Sequence, residues 1–98
     1  MPKERKSCFL CGRICYTERH HIFGGTANRR LSEEDGLVVD LCPDCHNRPP
    51  NGVHFNKERM QELHRYGQQF WENVQTAKGM SHEEARKAFM KRYGRNYL

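Results

Sequence analysis

Two cysteine pairs and a group of histidines carry the chemistry open to this chain. Cys8-Phe9-Leu10-Cys11 and Cys42-Pro43-Asp44-Cys45 share C-x-x-C spacing. His20 and His21 are adjacent, His46 directly follows the second pair, and His54 lies a little further on. A C-x-x-C turn aims two sulfurs at one ion, and two such turns complete the tetrahedral shell of structural Zn²⁺. Cys8, Cys11, Cys42 and Cys45 are therefore read as a closed zinc site. Four unrelated thiols would leave the paired spacing without a cause, and a redox dithiol needs one pair near a βαβ unit. Cys15 is left over as a small residue for the interior.

The histidines suit a second, open site. Neighbouring residues of a strand point to opposite sides, so His20 and His21 cannot both face one ion from a regular strand. Two jobs follow: one imidazole can hold a metal while the other serves as a general base near neutral pH. His46 is fixed by the zinc knuckle in front of it. His54 sits just ahead of a long helical pattern. Scattered surface histidines are common in basic proteins, but four in a window stapled by zinc point to a metal-dependent enzyme. His64 and His82 fall on helix positions with no partner pattern and are expected in solvent.

The elements that must place these residues are few. The 98 residues make one small chain with 36% apolar residues, so a metal staple is a sensible aid to folding. Residues 1–7 read as a basic tail and 8–13 as the first knuckle. Ile14 to Ile22 is rich in β-branched and aromatic residues and reads as one strand. Gly24-Gly25 ends it, and a polar loop runs to Gly36. Leu37, Val39 and Leu41 alternate with polar or outward positions, which predicts a second strand over 37–41. Pro49-Pro50-Asn51-Gly52 is a turn. Asn56 is an N-cap for a helix over 57–77, with Met60, Leu63, Phe70 and Val74 on its apolar stripe, Tyr66 and Trp71 beside them, and Gly67 as a weak spot. Ser81 and Glu84 form a capping box for a last helix reaching Tyr93. The expected division is a tail at 1–7, a zinc-stapled catalytic domain at 8–78 and a helical extension at 79–98.

Lys and Arg outnumber Asp and Glu by 17 to 12, for a formal net charge of +5. Four thiolates subtract four charges and one Zn²⁺ returns two, leaving +3. A field of that sign favours a polyanion such as nucleic acid. No stretch approaches the roughly 18 apolar residues of a membrane span. Met1-Pro2-Lys3-Glu4-Arg5-Lys6 has no apolar run behind it, so a signal peptide is not expected, and paired thiols in a reducing cytoplasm bind metal more often than they form disulfides.

Cys8-x-x-Cys11, Glu18-Arg19-His20-His21-Ile22, Leu37 to His46 and Gly52-Val53-His54-Phe55-Asn56 together resemble the HNH endonucleases. Phe89 to Leu98 is similar to the end of small HNH proteins carried by phages and prophages, which implies a bacterial cytoplasm. The resemblance implies an α+β fold: a small zinc-stapled ββα-metal domain, here with C-terminal helices. It implies that His20 is a metal ligand, that His21 activates water and that His46 is the next ligand. The family's third ligand would fall at Pro50, which has no ligating atom, and His54 is taken in its place. The family's middle Asn falls at Leu37, where Asp35, Asp40 or backbone groups are candidates to steady the loop. The implied activity is hydrolysis of duplex DNA to 5′-phosphate and 3′-hydroxyl ends.

Histidine ligands suit Zn²⁺, Mn²⁺ or Ni²⁺ better than Mg²⁺, although water and phosphate can complete a Mg²⁺ shell. Arg29 and Arg30 on the loop, and Lys57 and Arg59 at the start of the long helix, are candidates for phosphate contact. Two other classes of function compete. One is a non-catalytic zinc ribbon that binds nucleic acid or protein and needs no histidine cluster. The other is an accessory factor docking phage packaging proteins through its helices.

Overall fold

A computed structural model describes residues 4–98. Among the described residues the fold is a small α+β arrangement of two two-stranded antiparallel sheets, four helices and a cluster of four cysteines. β1 (Lys6–Ser7) pairs with β2 (Ile14–Cys15), and the turn between them carries Cys8 and Cys11. β3 (Glu18–His21) pairs with β4 (Val38–Leu41), placing His20 opposite Val39 and His21 opposite Val38. The single strand expected over 14–22 is thus two strands in two sheets. The Phe9 amide donates to the Asp40 carbonyl at 2.8 Å and ties the first knuckle to β4. Part of the expected tail is strand, since Lys6 and Ser7 belong to β1, while residues 1–3 lie outside the described residues.

The expected loop to Gly36 contains a helix, α1 (Thr26–Glu34). Its sequence hides it: Gly25 stands at the N-cap without a side-chain bond, and Ser32 is its one buried residue. A buried serine, with Leu31 as its one apolar neighbour packed against the second cluster, holds α1 down. The Phe23 amide donates to Ser32 Oγ at 3.0 Å, and that hydroxyl donates to the Phe23 carbonyl at 3.2 Å. After β4 comes the short α2 (Pro43–Asn47), whose N-cap Cys42 accepts from the Cys45 amide.

α3 (Lys57–Ala77) starts at Asn56, whose side chain accepts from the Arg59 amide. Its buried face is Leu63, Gly67, Gln68 and Glu72. The expected stripe is displaced: Tyr66 and Phe70 are 44% and 45% exposed. Polar partners replace them, because Arg86 donates to Glu72 and Gln68 donates to both Glu72 and Asn96. Gly67 is a point of close approach, since a Cβ there would stand 2.7 Å from Ile22 Cγ2 and 3.0 Å from Phe23. α4 (His82–Tyr93) opens with the Ser81–Glu84 capping box.

Two apolar clusters form the interior. Cys8, Leu41, Cys42, Cys45, Val53 and Leu63 surround the knuckles, with Cys15 partly buried against them. Ile22, Phe23, Leu37, Phe89 and Tyr93 join β3, β4 and α4, and Val39 packs against both clusters.

Candidate metal centres

The first site is the cysteine cluster. One Sγ from each of Cys8, Cys11, Cys42 and Cys45 lies within 4.8 Å of the others. Sulfurs about 2.3 Å from one ion stand about 3.8 Å apart at the corners of a regular tetrahedron. Cys11 Sγ and Cys42 Sγ are 3.7 Å apart. Burial, followed by the neighbouring thiols Cys42, Cys11 and Cys8, pushes Cys45 up to about 12, and burial raises Cys42 as well, whereas backbone hydrogen bonds outweigh burial at Cys8 and bring it down to about 6; the cluster does not ionise as a whole without a cation among its sulfurs. The donor set, its spacing and its electrostatics fit a structural metal such as zinc. The Arg59 guanidinium donates to Cys45 Sγ at 3.6 Å and to the Asn51 carbonyl at 2.8 Å. Arg59 therefore braces the second knuckle.

The second site gathers His20 from β3, His46 from α2 and His54 from the segment before α3. One ring nitrogen from each lies within 4.8 Å of the others. His46 Nε2 and His54 Nε2 are 3.2 Å apart, close to the spacing of about 3.4 Å that nitrogens on a shared tetrahedral ion adopt. His20 is 7% exposed, and its Nε2 has no hydrogen-bond partner. A buried unpaired ring nitrogen is costly unless something else meets it. Burial first, then the neighbouring His46 and His54, lower His20 to about 4, so it is neutral and able to ligate at pH 7.

Local structure explains the convergence. Glu18 and His20 share one face of β3 at period two, and α2 lies against that face. The second knuckle turns His46 toward it, and Glu18 Oε1 meets His46 Nδ1 at 2.8 Å. A carboxylate there accepts a hydrogen bond from Nδ1–H and so leaves Nε2 with its lone pair facing the other two rings. Gly52 lets the chain fold back, since a Cβ would stand 2.6 Å from the Arg48 amide nitrogen. Val53 N then bonds the Cys45 carbonyl at 2.8 Å, and His54 arrives beside His46.

His21 is not one of the three converging rings but stands beside them, lining one hollow with His20 and His54. Its Nε2 lies 2.6 Å from Glu33 Oε2, and Glu33 also takes two 2.6 Å bonds from the Arg19 guanidinium. The Arg19 bonds first, and His21 second, hold Glu33 below the usual carboxylate range. The sequence reading missed both Glu18 and Glu33. Glu18 had a signal in its i, i+2 relation to His20, whereas Glu33 had none, because α1 was not foreseen.

Other expectations land differently. Arg29 and Arg30 are on the exposed surface of α1 rather than on a loop, beside His21 and Thr26. Lys57 is exposed at the start of α3. Leu37 is 2% exposed core, and its carbonyl accepts from Ile22 N at 3.0 Å. Asp35 is engaged by Arg92 and Tyr93, and Asp40 is 3.9 Å from Lys6, so backbone pairing and not either carboxylate holds the end of the histidine strand. His64 is not solvated: it stacks on Phe23 at 5.5 Å and packs against Tyr97 at 4.7 Å. Among the described residues no helix is long and apolar enough to cross a membrane. No family model, no curated protein and no solved structure matches this chain.

Proposed function

We propose that this chain is an HNH-type endonuclease, a ββα-metal domain built from β3, β4 and α2 that hydrolyses phosphodiester bonds of DNA. The observation that carries the reading is the convergence of His20, His46 and His54 around the unpaired His20 Nε2, with His21 on the adjoining position of the same strand. A divalent ion held by those three rings, whether Mn²⁺, Mg²⁺, Ni²⁺ or Zn²⁺, would offset charge growing on the phosphoryl group and on the departing 3′ oxygen.

The protein's own groups do the rest. With its Nε2–H hydrogen-bonded to the Glu33 carboxylate, His21 keeps a lone pair on Nδ1 and can take a proton from water as that water attacks phosphorus. Glu33 stays ionised through Arg19 and steadies the imidazolium that forms. The basic faces at Arg29 and Arg30 and at Lys57 favour approach of a polyanion.

Plasmid cleavage with each of the four metals is the test. His21→Ala should slow cutting by roughly 100-fold or more, the usual scale of general-base effects. Metal analysis should find one tight zinc and a second, exchangeable ion per chain. A protein that holds only the tight zinc and leaves plasmid intact with every metal is a binding module rather than a nuclease.

A further inference from the structure

A groove of about 680 Å³ runs along the start of α3 and is closed on its far side by the C-terminal residues Arg95–Tyr97. Its inner end is shared with the hollow over the histidine cluster, since His54, Met60, His64 and Tyr97 line both. Its charge is one-sided. Lys57, Arg65 and Arg95 line it, and no Asp or Glu does among the described residues, in a chain that has 12 of them. Among the described residues, none of these three cations forms an ion pair, whereas Arg13, Arg19, Arg48, Arg86 and Arg92 each do.

The groove also carries flat surfaces. Phe55 is 58% exposed at its edge, and the Arg95 guanidinium lies 5.2 Å from the Tyr97 ring centroid. Tyr97 in turn packs on His64 and Phe23, which fixes its plane. Unpaired cations beside exposed or braced rings are what a single nucleic-acid strand uses: cations track the phosphates and rings take the bases. The volume falls in the range of roughly 300–1,000 Å³ that encloses a drug-sized molecule. That is room for one or two nucleotides and too little for a duplex.

We infer that this groove holds unpaired nucleotides next to the bond being cut, so that the substrate is DNA with a single-stranded stretch adjoining a duplex, such as a flap or gap. The inference rests on the nuclease reading for what happens to the strand, and not for its binding. Arg95 and Tyr97 then have a task the metal centre does not explain: they form one wall of the strand's path. Phosphates would lie along Lys57, Arg65 and Arg95, and a base would lie against Phe55.

Fluorescence anisotropy tests it with zinc-loaded full chain, no other divalent ion, and two labelled probes: a blunt duplex and the same duplex bearing an unpaired extension. The extended probe should bind roughly tenfold more tightly. Phe55→Ala should remove most of that difference and leave blunt-duplex affinity unchanged. The double variant Arg65→Ala/Arg95→Ala should lower the salt slope for the extended probe by roughly 1.4, at about 0.7 per single-strand phosphate contact. All three side chains are exposed, so the variants should fold, which circular dichroism checks. Equal affinity for the two probes, or a preference untouched by Phe55→Ala, overturns the groove assignment. Plasmid cutting that persists beside such a result leaves the nuclease standing. Extension-specific binding without cutting by any metal keeps the groove and removes the nuclease.

Discussion

Glu18 and Glu33 are the same residue type with different tasks, and the difference lies in which ring nitrogen each one meets. Glu18 fixes His46 through Nδ1 and so points Nε2 at the ligand cluster. Glu33 meets His21 at Nε2 and so leaves Nδ1 free, the nitrogen the proposed reaction needs as its base. Removing each should therefore fail differently. Glu18→Ala should weaken divalent-metal binding at the histidine site by about 10–100-fold, the usual cost of losing a carboxylate behind a ligating imidazole. Glu33→Ala should leave metal affinity intact and slow cleavage by roughly tenfold or more, a share of what a positioned base supplies. Isothermal titration with Mn²⁺ and single-turnover cleavage separate the two, and a common loss of metal affinity would contradict the division. A third residue-scale prediction concerns His20. Burial, with His46 and His54 beside it, lowers its pKa to about 4, so in zinc-loaded protein without a second metal its ring should stay neutral as pH falls from 7.5 to 5. Proton NMR of the His20 ring showing a midpoint near the ordinary 6.5 would remove that account.

At the level of elements, what was legible followed from strong local rules. The 37–41 strand announced itself by alternation, α3 by its Asn56 cap and α4 by its capping box. α1 escaped because Leu31 alone of its side chains packs into an apolar cluster, and the Ser32–Phe23 bond that also fastens it has no periodicity to read. The split between β2 and β3 escaped because both halves favour extended backbone, and only the partner strand decides which sheet each joins. The four cysteines and three of the histidines were legible as ligand types; the carboxylates behind the histidines depend on α1 and on α2 docking. The buried face of α3 was misjudged for a related reason. Gly67 was read as a weak spot, yet Ile22 and Phe23, both 1% exposed, press against it. Gly67→Ala would gain about 1 kcal/mol from helix propensity. Against that, two fully buried side chains would have to move, and overpacking of this kind costs about 1–3 kcal/mol. The net effect should be destabilising, visible as a lower urea midpoint with unchanged slope, whereas a higher midpoint would mean that Ile22 can shift freely.

Across the whole molecule, two small clusters share one support. Twelve buried apolar residues form the interior among the described residues, and three of them are cysteines of the metal cluster. With mean hydropathy of −1.01, the rest of the chain offers little more to bury. Val39 packs against both clusters, and α3 gives Leu63 to one and Trp71 to the other. A structural zinc contributes about 10–16 kcal/mol of binding free energy near neutral pH, comparable to or larger than the about 5–15 kcal/mol that holds a typical domain together. Loss of the ion should therefore not stop at the knuckles. The β1–β2 turn and α2 would lose their anchor, β4 would lose Leu41, and β3 would carry His20 and His21 away from their partners. Leu63 would lose the surface against which α3 begins. Zinc removal by a strong chelator, or Cys42→Ser, should accordingly abolish cleavage, dissolve the histidine site and lower the helical circular dichroism signal of α3 and α4 in the same transition. A helical signal and dispersed aromatic NMR peaks that survive chelation would mean that Phe23, Phe89, Tyr93 and Tyr97 fold as an independent unit. The metal would then support only the knuckle half of the chain.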